Sequence, residues 1–458
     1  MRRYILTNSK LAELVDFGNY QVFPGANVLT NLLFCEKIRR AGNYEVSVQR
    51  LTRSDTSEES VAKALFEGSP NIFTLSRVDS AWLSSDPWHF VDDLTRGIKT
   101  TMLSVSWGLG EKCEIVQAMQ TGMNAVFVVD EQTIAQYNLE RSLLRELAKT
   151  GNVRRYHIED LGRYVLWSEV EDISQFPNTE CYLKQFQAKL VNRYDIKARN
   201  AAWWRISTPR NAELFESDLN RILTPFMSTS NKFYLDTEKH FNDGGDLRAI
   251  FPREGIEISL YYVLALLNSR AGEFFHQSTA KLKRGGYYEY YGNALEQFPV
   301  RRISFTTPPE ERERLVEEAL DHEQHEMARK ARNAKGDFVP FADFRVFRDS
   351  DLGHWVDARL SADPEQTDVI HGLLAHLAGR MIEMHKEKQA EVRGFLDWLA
   401  EYTGRQVGQW ALKTHLRCYY EQDWAEMERI LKRNQRKLPK VDLDVEAYKN
   451  EPAARIRA

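Results

Sequence analysis

Gln120-Thr121-Gly122-Met123-Asn124-Ala125-Val126-Phe127-Val128-Val129 is the stretch on which the fold of this chain turns. A glycine-bearing turn delivers a short apolar run, Ala125 to Val129, of strand length. Similar β-like runs recur at Tyr164 to Trp167, Trp203 to Ile206 and Lys232 to Leu235. Between them lie runs of helical character, notably Leu139 to Ala148 and Ser259 to Asn268. Residues 107–305 therefore read as a mixed α/β domain.

Upstream, residues 1–40 hold two short apolar runs, Leu14-Val15-Asp16-Phe17 and Val28-Leu29-Thr30-Asn31-Leu32-Leu33-Phe34. Gly18, Asn19, Pro24 and Gly25 separate them, so they read as adjacent strands. An isolated hairpin is marginally stable in water, and these strands need a sheet to complete them that is not evident elsewhere in the chain. Residues 41–106 read as a connector with a strand or two. In it, Arg53-Ser54-Asp55-Thr56-Ser57-Glu58-Glu59-Ser60 looks like the capped start of a helix through Val61, Leu65 and Phe66.

Downstream, residues 306–458 turn highly charged and helix-favouring, with Pro308-Pro309 at a helix start. Ile370, Leu373, Leu377, Met381, Met384, Val392, Phe395 and Leu399 recur at three- and four-residue steps, one face of a long helix. An antiparallel helical hairpin, or a helix packed on a partner, follows from that stripe. Lys388 interrupts it and argues against a long dimeric coiled coil.

The composition is that of an ordinary globular protein: 458 residues, 43% hydrophobic and 28% charged, enough for two or three packed domains. A net charge of -4 excludes a uniformly basic coat, so any polyanion site must be a local patch. Cys35, Cys113, Cys181 and Cys418 are scattered, without zinc-ligand spacing or a disulfide framework, which fits a reducing cytoplasm. No run of about 18 apolar residues suggests a membrane span.

Motifs for self-sufficient chemistry are missing from the sequence. Gly108-Leu109-Gly110 is the one glycine-rich turn resembling a cofactor cradle, and it lacks both a third glycine and a preceding buried strand. No Walker lysine motif and no Asn-Pro-Pro-Tyr loop for adenine amino-methylation occur. Asp444, Glu446 and Lys449 have the wrong spacing for a nuclease, and His322-Glu323-Gln324-His325 reads as a solvated helix face.

Nucleic-acid signals are stronger. Lys184, Lys189, Arg193, Lys197, Arg199, Arg205 and Arg210 occur with Asp195 as the only acid, interleaved with Phe186, Tyr194, Trp203 and Trp204. A second cluster, Lys281, Lys283 and Arg284, precedes the flexible aromatic run Gly285-Gly286-Tyr287-Tyr288-Glu289-Tyr290-Tyr291. Such stretches neutralise the phosphates of DNA or RNA. The alternative is that the tryptophans are core and the lysines a solvated face.

Taken in order, these motifs resemble the C-terminal half of the TaqI-like adenine methyltransferases and the fused type II restriction-modification enzymes related to them. Leu14-Val15-Asp16-Phe17-Gly18 and Val22-Phe23-Pro24-Gly25-Ala26-Asn27-Val28-Leu29-Thr30 look like the terminal strands of the family's methyltransferase sheet. The Gln120 to Val129 stretch resembles the entry into its target-recognition domain, continued by Val153-Arg154-Arg155-Tyr156 and Arg163-Tyr164-Val165-Leu166-Trp167. Trp203-Trp204, Asn231-Lys232-Phe233-Tyr234-Leu235-Asp236, Leu264-Ala265-Leu266-Leu267-Asn268-Ser269 and Leu295-Glu296-Gln297-Phe298-Pro299-Val300 follow in the family's order. In the Leu-Leu-Asn-Ser segment the asparagine is expected to cap a buried helix.

The resemblance implies a DNA sequence-recognition part of a site-specific adenine methyltransferase from a bacterial restriction-modification or phage-defence system. It further implies double-stranded DNA as ligand and a catalytic methyltransferase polypeptide as partner through residues 1–40. S-adenosylmethionine is expected on that partner, with no catalytic, cofactor or metal residue here and no activity of the chain alone. DNA contacts are expected from Arg154, Arg155, Arg193, Lys197, Arg199, Arg210, Lys281, Lys283, Arg284, Tyr287 and Tyr288. A truncated reading of a full methyltransferase gene and a protein-binding adaptor are the alternatives.

Overall fold

The computed structural model describes residues 2–18, 20–23, 30–38, 42–52, 57–68, 71–83, 88, 93–159, 162–283, 285–329 and 347–434. Within them the chain divides into two units, Met1–Ala378 and Gly379–Ala458.

The first unit begins with a short helix, Arg2–Asn8, followed by a four-stranded sheet. β1 (Lys10–Asp16) pairs antiparallel with β2 (Asn31–Glu36), as the two apolar runs suggested, and parallel with β3 (Glu45–Leu51). β4 (Phe73–Asp79) closes the order β2-β1-β3-β4. The strands expected in the connector thus join this sheet, for which the sequence reading finds no completion in this chain. Alternation divides its core between two faces. Leu11, Leu14, Val46, Val48 and Val78 pack on one, while Val15, Phe17, Leu51 and Phe73 pack on the other against Val61 and Ala64 of the helix Glu58–Glu67. A register shift between Leu11 and Glu13 lets Leu11 and Leu14, three residues apart, share a face. Ser57 caps the helix through Ser60 N, and Arg53 to Thr56 lie outside the described residues.

β2 is different: all six of its residues are exposed. Leu32, Leu33 and Phe34, with Ile38 beyond the strand, are apolar side chains on an unpaired sheet edge. Val28 and Leu29, expected in this strand, lie outside the described residues.

The following region builds several small sheets. β5 (Ser106–Gly108) pairs with β17 (Pro299–Arg301). β6 (Cys113–Val116), β10 (Arg221–Pro225), β12 (Tyr234–Asp236) and β14 (Leu247–Pro252) form an antiparallel sheet of order β12-β10-β14-β6. β7 (Val128–Asp130), β8 (Leu144–Ala148), β9 (Arg163–Leu166) and β13 (Phe241–Asn242) form a second, with β13 parallel to β8. β11 (Met227–Ser228), β15 (Leu282–Lys283) and β16 (Tyr287–Glu289) make a small ribbon of order β11-β16-β15. The mixed α/β expectation holds.

Three local expectations need correction. Ala125 to Val129 is a short helix, Asn124–Phe127, before β7, because the Met123 carbonyl takes the N–H groups of both Val126 and Phe127. Leu139 to Ala148 is not a helix. Glu140 accepts the backbone N–H groups of Asn178 and Thr179 at 2.9 Å each, which pins the chain there, and β8 then finds ladder partners on both sides. Tertiary contacts override the helical spacing of its leucines. Trp203 to Ile206 is a turn rather than a strand, since its carbonyls are taken by an arginine described below.

Helix Pro309–Arg329 starts at the anticipated proline and packs on Asp351–Leu360 through Leu315, Ala319, Leu352 and Trp355. The long helix is Thr367–Thr403. In the second unit its Val392, Phe395 and Leu399 meet Trp410, Leu416, Tyr419 and Ile430. Lys388, which breaks the apolar stripe, sits 3.8 Å from the Tyr420 ring centroid. Among the described residues no helix is long and apolar enough to cross a membrane.

Candidate nucleic-acid interface

The hairpin of β15 and β16 pairs Lys283 with Tyr287. Its turn includes Gly285 and Gly286 at φ +80° and +77°, values that favour glycine. Strand alternation sets Lys281, Lys283, Tyr287 and Glu289 on one face and Tyr288, half-buried, on the other. Lys281 and Tyr287 are exposed. Lys283 Nζ lies 2.7 Å from Glu289 Oε1, and that carboxylate holds the ammonium above its ordinary pKa. Arg284 lies outside the described residues.

A buried polar cluster ties this ribbon to Arg155. Tyr290, next after β16, donates its hydroxyl to Asn231 Oδ1 at 2.8 Å, and Asn231 Nδ2 donates to the Leu267 carbonyl. His276 stacks on Tyr290 at 4.1 Å between centroids, and burial pushes the imidazole down to about 4. Arg155 reaches the Asn231 carbonyl and sets Nη2 3.0 Å from Glu273 Oε2. Its neighbour Arg154 places Nε 3.1 Å from Glu159 Oε1. Both arginine side chains remain more than a third exposed, at 37% and 38%. Arg154, Arg155 and the hairpin therefore belong to one neighbourhood.

The sequence reading missed Lys232 there. Burial lowers its pKa, and the Arg154 charge adds to that, against Glu159. It also missed that Glu159, Glu273 and Glu289 already partner the cations. Asn268 is not a cap: its amide bonds the backbone N–H and carbonyl of Phe233 at 3.1 and 2.9 Å. Ser269 does the capping, accepting from Gly272 N.

The Lys184 to Arg210 stretch behaves differently. Arg193 is buried, and its guanidinium donates to the carbonyls of Leu190, Thr121, Trp203 and Arg205 while lying 5.3 Å from the Phe127 ring centroid. It is a core strut and cannot meet a phosphate as placed. Lys197, Arg199 and Arg210 are exposed, bonded to Asn192 Oδ1, the Ile206 carbonyl and Gln117 Oε1. Trp203 and Trp204 pack against the core, and Trp204 Nε1 reaches the Val170 carbonyl, which is the alternative weighed for them. Beneath the stretch sits Glu169, raised by burial despite the nearby arginines.

The Gly108-Leu109-Gly110 turn is filled. A Cβ on Gly108 would meet the Glu296 carbonyl at 2.7 Å, and one on Gly110 would meet the Glu296 side chain at 2.9 Å. These glycines allow the close approach of Glu296. His322 and His325 lie on the Pro309–Arg329 helix, where His325 Nδ1 contacts the Asp321 carbonyl one turn back.

Residues 147–300 match the TaqI-like C-terminal specificity domain family. The type II methyltransferase M.HindII of Haemophilus influenzae is 21% identical over 334 residues, covering 68% of this chain and 62% of the relative. The type II restriction enzyme and methyltransferase RM.Eco57I of Escherichia coli is 22% identical, covering 67% of this chain and 33% of the relative. M.HincII of Haemophilus influenzae is 20% identical, at 68% and 61%. The chain thus spans less than two thirds of each of these relatives. Among solved structures, the type IIG restriction endonuclease BpuSI aligns over 82% of this chain and 44% of its own, at 12% identity and TM-score 0.37. The type IIL enzyme MmeI, solved with DNA, aligns over 81% and 46%, at 11% identity and TM-score 0.41. Residues 147–300 are thus similar to the TaqI-like specificity domain, in line with the motif order, and the relatives are type II restriction-modification methyltransferases.

Proposed function

We propose that this specificity domain reads DNA sequence for an adenine-specific methyltransferase whose catalytic part lies outside these 458 residues. The observation that carries the reading is the joining of Arg154, Arg155 and the Lys281 to Tyr288 hairpin within residues 147–300. A narrow ribbon with exposed Lys281 and Tyr287 suits entry into a groove, while the arginines suit the flanking backbone. Lys197, Arg199 and Arg210 would supply further phosphate contacts; Arg193 would not.

The catalytic methyltransferase would add to the β2 edge. Leu32, Leu33 and Phe34 project from a strand exposed on both faces, and a sheet edge of that kind is completed by another strand. S-adenosylmethionine would bind on that catalytic part, in keeping with the methyltransferase relatives. When bound it would supply the methyl group; the residues of this chain would orient the duplex.

The test is methyl transfer from labelled S-adenosylmethionine to bacterial DNA, with this chain alone and mixed with the polypeptide encoded immediately upstream. DNA binding by the chain alone and methylation only in the mixture are expected. Methylation by the chain alone, or no DNA binding, would overturn the reading. Phe34→Lys should abolish activity of the mixture while leaving the thermal midpoint of the chain unchanged.

A further inference from the structure

A second constellation, sharing no residue with the basic ribbon, takes no part in the reading above. β13 runs parallel to β8 with Phe241 opposite Leu147, so His240, one residue earlier, falls beside Glu146. Glu238, two residues before His240, reaches the same point. His240 Nε2 stands 3.5 Å from Glu146 Oε2 and 3.7 Å from Glu238 Oε2, and one donor atom from each of the three residues lies within 4.8 Å of the others. Those nitrogen to oxygen separations are long for hydrogen bonds. The imidazole is more than nine-tenths buried, and its Nε2 is aimed at the two carboxylates.

We propose that Glu146, Glu238 and His240 bind one divalent transition cation of the zinc or manganese class. The donor set is one imidazole and two carboxylates, which fits those metals better than calcium or magnesium, whose sites are built of oxygen alone. Tetrahedral ligands at about 2.05 Å from zinc stand about 3.3 Å apart, so the two nitrogen to oxygen separations need to close by only a few tenths of an ångström.

The other imidazole nitrogen faces the fully buried Asp236, with Nδ1 2.9 Å from Oδ1. A carboxylate behind a ligand histidine directs the proton to Nδ1 and leaves the Nε2 lone pair for the metal. Lys239, between two of the ligands, is turned away onto Asp218, so no lysine ammonium from that turn competes for the carboxylates. The Glu146 and Glu238 side chains are each 58% exposed, which gives a cation its route of entry and leaves a coordination position for water. A bound ion would cross-link β8 to the Asp236 to Asn242 segment.

Isothermal titration of the metal-stripped full chain with zinc chloride, then manganese chloride, tests this. One ion per chain is expected, with a cobalt-substituted sample showing the absorption of a nitrogen and oxygen site without thiolate bands. Glu146→Gln and Glu238→Gln change exposed side chains isosterically and preserve the fold, verified by circular dichroism. Each should weaken binding at least tenfold, and the pair should abolish it. Absence of stoichiometric binding by either metal, or unchanged affinity in the double variant, would overturn the proposal.

Discussion

Replacing Lys281 and Lys283 with alanine probes the ribbon through a quantity specific to polyanion binding, the dependence of affinity on salt. Each phosphate neutralised on duplex DNA contributes about 0.9 to the slope of log affinity against log salt. Two lost contacts therefore flatten the slope by up to about 1.8, and between about 50 and about 200 mM salt the wild type should lose about 12-fold more affinity than the variant. The two lysines are not equivalent. Lys281 is exposed and should account for most of a full contact. Lys283 must leave Glu289, 2.7 Å away, which then takes up a cation from solution, so its share is smaller. Glu289→Gln should enlarge that share and steepen the slope. Fluorescence anisotropy of a labelled duplex across a salt series reads the wild type and both variants. An unchanged slope in the Lys281→Ala/Lys283→Ala variant, with the fold intact, would refute the role assigned to the hairpin.

Arg193→Ala should destabilise the chain by roughly 3 kcal/mol or more in urea unfolding, since four carbonyls lose a buried donor, and Arg193→Lys should not rescue it. DNA affinity per folded molecule should stay the same, separating Arg193 from Lys197 and Arg199. Asn268→Ala leaves both backbone groups of Phe233 without their side-chain partner and should cost roughly 2 to 4 kcal/mol by the same measurement. Burial pushes both His276 and His371 down to about 4, with Arg312 adding to the effect on His371. The unfolded chain therefore binds protons that the folded chain refuses as pH falls below about 6.5. Their contribution is intact above that value and is lost toward about 4, by roughly 3 kcal/mol each; His276→Phe should flatten the pH dependence of unfolding.

The sequence made the long-range organisation legible because motif order and apolar periodicity survive without coordinates. The β1 and β2 hairpin, the helix Leu260–Asn268 and the Thr367–Thr403 helix were all visible in the spacing of apolar residues. Local form failed where a distant side chain decides it. Nothing near Leu139 to Ala148 announces that Glu140 will cap the helix Pro177–Lys184, and without that anchor its leucines look helical. The candidate site failed for a related reason. Charge counting along the chain cannot separate Arg193, turned inward onto carbonyls, from Arg199, which stays exposed. The carboxylates opposing Arg155 and Lys283 come from Glu273, 118 residues from Arg155, and from across a hairpin. The Glu146 to His240 grouping depends wholly on the parallel pairing of β8 with β13.

Under the proposed DNA-reading role, the pairing of Arg154 with Glu159 and of Arg155 with Glu273 also bears on how the domain would search a genome. An arginine that must first release a carboxylate gains less from an arbitrary phosphate than from a site where base contacts hold the duplex in register. Residence on random sequence shortens while residence on the correct sequence is little changed. Because competing sites outnumber the target by about a million or more, time lost on wrong sequence, rather than tightness on the right one, sets how quickly the target is found.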